Sequence, residues 1–305
     1  MNAWHLVSDS EAFRWFAKRG PGRVVLRSRA FGRIDTRRRH ALASSAVRRD
    51  PDRFAHVRTF CVFVGHNKSG TSLLGGLLDA HHAIVLADEL DVLRYVEAGF
   101  AREHIFHLVA RGSRSEARKG RVTARRLQPY SYRVPGQWQG DARVPIVVGD
   151  STSGASTRRL GARPELTTRI RALMPGVDLR LIQVIRNPFD PISLMMVRGG
   201  RSFANAIDHY FAACEALARI RRAEGAALLP IRYEAFVGDP VAGLSAACAF
   251  LGVDADDDYV DACASIIRTQ PDRGRELVPW TRSWIDDVER RLARFDFLEG
   301  YAYGS

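Results

Sequence analysis

Apolar residues gather along this chain in short continuous runs bounded by polar or turn-forming residues, and between the runs they recur at helical spacing. The runs at 59–65, 84–87, 144–149, 178–185 and 228–232 are too short for helices. They also lack the alternation of a strand with one wet face, so they read as strands buried on both sides. Helices are predicted over 70–81, where Leu73, Leu74, Leu77 and Leu78 share a face, and over 90–98, 162–174, 188–197 and 203–224. An aromatic helix is predicted at 280–295. Strands alternating with helices give an α/β fold of three layers, a mostly parallel central sheet flanked by helices. Ligands of such sheets lie beyond the carboxyl ends of the strands.

Two segments fall outside this rhythm. Residues 1–58 contain none of the strand–turn–helix units but carry Arg37, Arg38, Arg39, Arg48 and Arg49. They are expected to form a basic N-terminal extension packed on the core. Residues 59–305 are then a single domain. Within it, the arginine-rich insert 100–143, with Tyr130, Tyr132 and Trp138, is expected to shape a binding site together with the helix at 203–224, since insertions on a rigid scaffold often carry specificity. His104 and His107 share a face if that part is helical.

Composition narrows the class. The 305 residues carry a net charge of +12, and of 46 basic residues only Lys18, Lys68 and Lys119 are lysines. Such a balance suits binding of anions and leaves nucleic acid or an anionic membrane surface open as partners. Cys61, Cys214, Cys248 and Cys263 lie far apart, with neither C-x-x-C nor zinc spacing, and read as reduced core thiols. With no apolar stretch long enough to span a bilayer and no signal-peptide pattern, a cytoplasmic location is expected.

The richest chemistry follows the first strand, where V-G-H-N-K-S-G-T-S-L-L occupies 64–74. Gly65, Asn67 and Gly70 make a turn, and Ser69, Gly70, Thr71 and Ser72 stand where a new helix leaves its N–H groups unbonded. Those groups and the positive helix end form an anion site, and Lys68 adds a charge. The spacing of Gly65 and Gly70 fits a Walker A loop, but there the lysine follows the second glycine; here it precedes it and Thr71 follows. Asp88 and Glu89 end the second strand. They suit either an acidic helix start or a general base. Asp150, at the end of V-P-I-V-V-G-D (144–150), imitates a Walker B aspartate but follows the wrong loop to be read as a magnesium ligand.

The stretch K-S-G-T-S-L-L-G-G-L-L-D-A-H-H-A-I-V-L-A-D-E (68–89) resembles the 5′-phosphosulfate loop and following segment of sulfotransferases that use 3′-phosphoadenosine 5′-phosphosulfate (PAPS), closest to the tyrosylprotein and carbohydrate type and to bacterial members. His82 stands where that family has proline. The unit R-N-P (186–188) after the fourth strand is similar to the family's 3′-phosphate site. The resemblance implies Arg186 as a ligand, with a serine eight residues on. Here Ser193 is seven residues on, about 100° out of phase. The segment P-I-R-Y-E (230–234) implies Tyr233 as a cofactor contact and Glu234 as a structural brace. Q-P-D-R-G-R-E (270–276) is similar to a basic loop over the same phosphate, which implies Arg273, Gly274 and Arg275.

The resemblance thus implies a P-loop-like sulfotransferase fold, PAPS as donor without a metal, and sulfonyl transfer to a hydroxyl acceptor: a metabolite, sugar, lipid or phenol. Lys68 would stabilise the leaving oxygen and Glu89 would take the acceptor's proton. Ser151 stands where relatives often place a second lysine. No specific nucleic acid is expected and a homo-oligomer is left open. The competing readings are a P-loop kinase using ATP and magnesium, and a basic nucleic-acid or membrane-surface binder.

Overall fold

The computed structural model describes residues 29–122, 130–268 and 273–305. In chain order its principal elements are α1 (Arg29–Arg49), β1 (Thr59–Gly65), α2 (Thr71–Leu78), β2 (Ile84–Ala87), α3 (Leu93–Glu97), α4 (Arg102–Arg118), β3 (Val147–Asp150), α5 (Ser153–Ala162), α6 (Leu166–Leu173), β4 (Asp178–Ile185), α7 (Phe189–Gly199), α8 (Phe203–Glu224), β5 (Leu228–Arg232), α9 (Tyr233–Gly238), α10 (Pro240–Leu251), α11 (Asp257–Ser265) and α12 (Arg282–Leu292). The five strands form one sheet in the order β2-β3-β1-β4-β5, with every pair parallel.

Burial on both faces explains the continuous apolar runs. In β1, Phe60, Val62 and Val64 enter one core with Leu181 and Ile185 of β4 and with α7 and α8. Cys61 and Phe63 enter a second core with α2, α10 and α11. All four helical leucines of α2 are buried there, each contributing about 2 kcal/mol relative to exposure. The four cysteines are free and buried, and burial pushes the Cys248 thiol up to about 11.

The two cores locate the crevice. After β1 the chain passes to α2 on one face, and after the neighbouring β4 it passes to α7 on the other. The chain thus leaves adjacent strands in opposite directions, and the gap beyond their carboxyl ends is the topological switch point. Register levels the ends: Gly65 pairs with Val184, and Ile185 with Arg232. Residues 66–70, Arg186 and Tyr233 therefore leave three neighbouring strands side by side.

One expectation is revised. The helix predicted over 162–174 is α6, and a further helix, α5, begins shortly after β3. The described part of the insert contains helix α4, which packs on the core: Gly112 lies against Ala87, and Ser113 donates to buried Asp79 at 2.8 Å. His107 meets Phe54 edge-on, and His104 shares a hydrogen bond of 3.1 Å with Ser44 of α1. Residues 1–28, 123–129 and 269–272 lie outside the described part, including the first positions of the Q-P-D-R-G-R-E loop. No helix among the described residues is long and apolar enough to cross a membrane.

Candidate functional site

The loop after β1 is held at three points. Thr157 of α5 accepts from the Gly65 amide at 2.8 Å and donates to its carbonyl at 3.0 Å, fixing the strand's exit. His66 is buried and stacks on Tyr210 at 3.8 Å, its Nε2 donating to the Tyr210 carbonyl at 3.0 Å. Burial lowers its pKa to about 4, so the ring is neutral and serves packing. At the far end Gly70 sits at φ 96°, and a Cβ there would lie 2.3 Å from the Tyr233 ring. Only glycine fits both the left-handed backbone and that contact.

Helix α2 then starts with no side chain capping it, which leaves its first-turn amides as donors to a ligand. Ser69 and Thr71 are buried beneath the loop, Thr71 accepting from Ser153 at 3.4 Å, while Lys68 and Asn67 are exposed and Ser72 is half-buried.

Across the crevice Arg186 is buried. Its guanidinium lies 4.8 Å above the Tyr233 ring and donates to the Lys68 carbonyl at 3.3 Å. Tyr233 thus links Gly70 to Arg186. Behind them Asp190 is buried between two arginines, 3.3 Å from Arg186 Nε and 3.5 Å from Arg275 Nε, and it also accepts from the Arg275 amide at 3.0 Å. Asp190 is absent from the sequence-based candidates. Its position four residues after Arg186, one helical turn on, was the available signal.

The remaining candidates divide. Gly274 packs on α7 so closely that a Cβ would lie 2.9 Å from the Asp190 carbonyl oxygen. Arg275 turns inward, donating to the Tyr303 carbonyl at 3.2 Å, whereas Arg273 is exposed with Glu276 at 4.0 Å. Glu234 braces the site as expected, accepting from the Asn187 amide at 2.8 Å and from the Tyr301 hydroxyl at 2.8 Å. Ser193 does not face the crevice. It is fully buried, donating to the Phe189 carbonyl at 2.7 Å and accepting from Trp280 Nε1 at 2.9 Å. The one-residue offset read in the sequence turns it into the core.

On the other flank, β2 and β3 end level, Ala87 opposite Asp150. Ser151 therefore meets the acidic pair, donating to the Ala87 carbonyl at 3.2 Å and to Asp88 at 3.1 Å. Burial, and then the charge of Glu89, raises the Asp88 pKa. Glu89 itself is exposed. Asp150 is fully buried, its oxygens accepting from the Val92 amide at 2.8 Å and the Thr152 hydroxyl at 2.8 Å. It closes the β2–α3 turn onto β3, and burial lifts its pKa to about 7.

Backbone strain marks the same places. Among the described residues the non-glycine positions with left-handed backbone are Lys68 (φ 74°), Glu89 (φ 55°), Asp91 (φ 57°) and Arg121 (φ 46°). Each costs on the order of 1 kcal/mol and persists only where surrounding contacts impose it. Arg159 clamps Asp91 through both carboxylate oxygens, at 2.8 and 2.6 Å, so the Glu89 turn is imposed by α5.

No protein-family model and no curated protein matches the chain. Solved structures similar to it include the sulfotransferase domain of the Synechococcus PCC 7002 olefin synthase, at 16% identity and a TM-score of 0.47 over 78% of this chain and 95% of that one. The sulfotransferase domain from the curacin biosynthetic pathway is 15% identical at a TM-score of 0.48, over 78% and 97%. A sulfotransferase from Alicyclobacillus acidocaldarius is 19% identical at 0.45, over 79% and 96%. These likenesses are weak in both sequence and superposition.

Proposed function

We propose that this chain is a sulfotransferase that takes its sulfonyl group from PAPS and passes it to a hydroxyl acceptor, giving a sulfate ester. The observation that carries this reading is the convergence of Gly70, Arg186 and Tyr233 from three strand ends on one crevice. It brings an N–H-rich loop and a buried guanidinium against one aromatic ring.

The donor set fits a nucleotide with separate phosphates. Two buried guanidinium groups lie against the carboxylate of Asp190, and such planar forks match the oxygens of a 3′-phosphate. The loop amides at 69–72 would hold the 5′-phosphate. Arg273, which is exposed, would be a further ligand for the 3′-phosphate. Ser193 has no part in this scheme.

Bound PAPS supplies a sulfonyl group on a phosphate leaving group. Lys68 and the loop amides stabilise the negative charge that builds on the leaving oxygen. Glu89, held by the α5 clamp on its turn, accepts the acceptor's proton as its oxygen attacks in line. Ser151 fixes Asp88 beside it. In the kinase alternative Asp150 would hold magnesium, but its oxygens are already engaged with Val92 and Thr152.

Incubation with sulfur-labelled PAPS and an extract of the source cells should yield a labelled ester. Glu89→Gln should keep PAP binding and lose turnover. An active E89Q enzyme would refute the base assignment, and failure of any label to leave PAPS would count against the reaction.

A further inference from the structure

The end of the sheet opposite the crevice carries a cationic face with apolar residues set into it. The chain reaches β3 through residues 135–146, which are anchored where the strands begin. The Trp138 amide donates to the Ala80 carbonyl at 3.0 Å, and the Ile146 amide to the Ala83 carbonyl, just before β2, at 2.8 Å. This segment lies on the last turns of α4, so closely that a Cβ on Gly140 would sit 2.8 Å from the Ala117 Cβ and 3.0 Å from the Arg114 Cα. On α4 the exposed residues Arg111, Arg114 and Arg118 stand at i, i+3 and i+7, a spacing that puts them on one side of the helix. The buried Ile105, Val109 and Ser113 take the opposite side. In the facing segment the Arg143 guanidinium lies 5.7 Å from the Trp138 ring centre. Trp138 is 38% exposed and Val144, next to Arg143, is 54% exposed. None of the four arginines enters an ion pair among the described residues. Of the acids in these two stretches, Glu116 is taken by Lys119 and Asp141 is the other.

Four guanidinium groups thus surround a half-open indole and an open valine. A solvated basic face has no use for the apolar pair, and a nucleic-acid backbone would engage the arginines without Val144. A bilayer surface uses both kinds of residue. Arginines meet anionic headgroups, while tryptophan and valine enter the boundary between headgroups and acyl chains. We infer that this face, formed by α4 and the segment before β3, docks the protein on an anionic phospholipid surface. The carboxyl ends of the strands then point away from the membrane, and the crevice stays open to water. None of these residues belongs to the crevice, so the inference stands apart from the sulfotransferase reading.

The test is co-sedimentation of the full chain with vesicles of mixed phosphatidylglycerol and phosphatidylcholine, and of phosphatidylcholine alone, at physiological salt. Wild type should partition at least roughly tenfold more strongly onto the anionic vesicles. R111Q/R114Q/R118Q should lose most of that preference. W138S/V144S, which keeps every charge, should bind the anionic vesicles at least roughly threefold more weakly. The substituted side chains are exposed, so both variants should melt within about 2 °C of wild type. Equal partition of wild type onto the two kinds of vesicle, or an undiminished preference in the triple-arginine variant, overturns the inference. Unchanged vesicle binding by W138S/V144S also overturns it, because charge alone would then hold the surface. A duplex DNA titrated in parallel covers the competing partner: binding of DNA that the arginine variant loses, with no partition of wild type onto vesicles, gives the face to nucleic acid and overturns the inference.

Discussion

Replacing Arg186 by methionine should lower selectivity for the 3′-phosphate at a modest cost in stability. The Arg186 side chain is only 5% exposed and lies 3.3 Å from both Asp190 and the Lys68 carbonyl. A phosphate meeting it there forms a charge-assisted bond shielded from water, worth about 1.5–3 kcal/mol, or roughly 10- to 150-fold in Kd. The assay is a cycle of two proteins and two ligands, PAP and AMP, which differ by the 3′-phosphate. Wild type should prefer PAP, and R186M should lose that preference by that factor, Arg275 and Arg273 keeping the remainder. Asp190 keeps Arg275 in the variant, so the stability loss is about 1–3 kcal/mol. At about 2.1 cal/mol/K of unfolding entropy per residue, a 305-residue chain loses about 2–5 °C in Tm. Equal weakening of PAP and AMP, or an undiminished preference for PAP in R186M, would refute the assignment of the second phosphate to Arg186.

Ser193→Ala should lower Tm by about 2–5 °C, because it leaves the Trp280 N–H without its acceptor, and should leave PAP affinity unchanged. A tenfold loss of PAP affinity at constant Tm would show that Ser193 reaches the phosphate after all. Asp150 gives a pH prediction. Its folded pKa of about 7 lies above the ordinary value of 3.8, so the folded state holds a proton that the unfolded chain has released. Stability is therefore full below pH 4 as far as this group is concerned, and falls as pH rises toward 7, by at most about 4 kcal/mol. Asp150→Asn removes that decline. Urea midpoints at pH 5 and pH 8 should show D150N gaining on wild type at the higher pH, and a constant difference would contradict the burial argument.

The parallel strands were legible because burial on both faces leaves no polar position to blur them. β1, β2, β4 and β5 run as their apolar runs predict. Helix α8 was equally plain from its periodicity. Helix α5 was not, since Ser153, Gly154, Ser156 and Thr157 are poor helix formers with no apolar stripe. They are small because Gly154 lies against Asn67 and Thr157 grips Gly65. That missed helix hid the clamp on the Glu89 turn. Arg186, Gly70 and Tyr233 could be named from local sequence, but their meeting depends on strand order and register, which single segments do not carry. Asp190 escaped because an acid in a first helical turn ordinarily reads as favourable to the helix dipole.

The central claim is that the crevice is built for PAPS rather than for a nucleoside triphosphate. It is tested most directly by the melting temperature of the purified protein with saturating PAP, and with ATP and magnesium. PAP should raise Tm by several degrees, as expected when ligand far exceeds its Kd, and the rise should vanish in a Lys68→Ala, Arg186→Met double variant. ATP with magnesium should raise it much less. A larger shift with ATP and magnesium than with PAP, or none with PAP, would contradict the account.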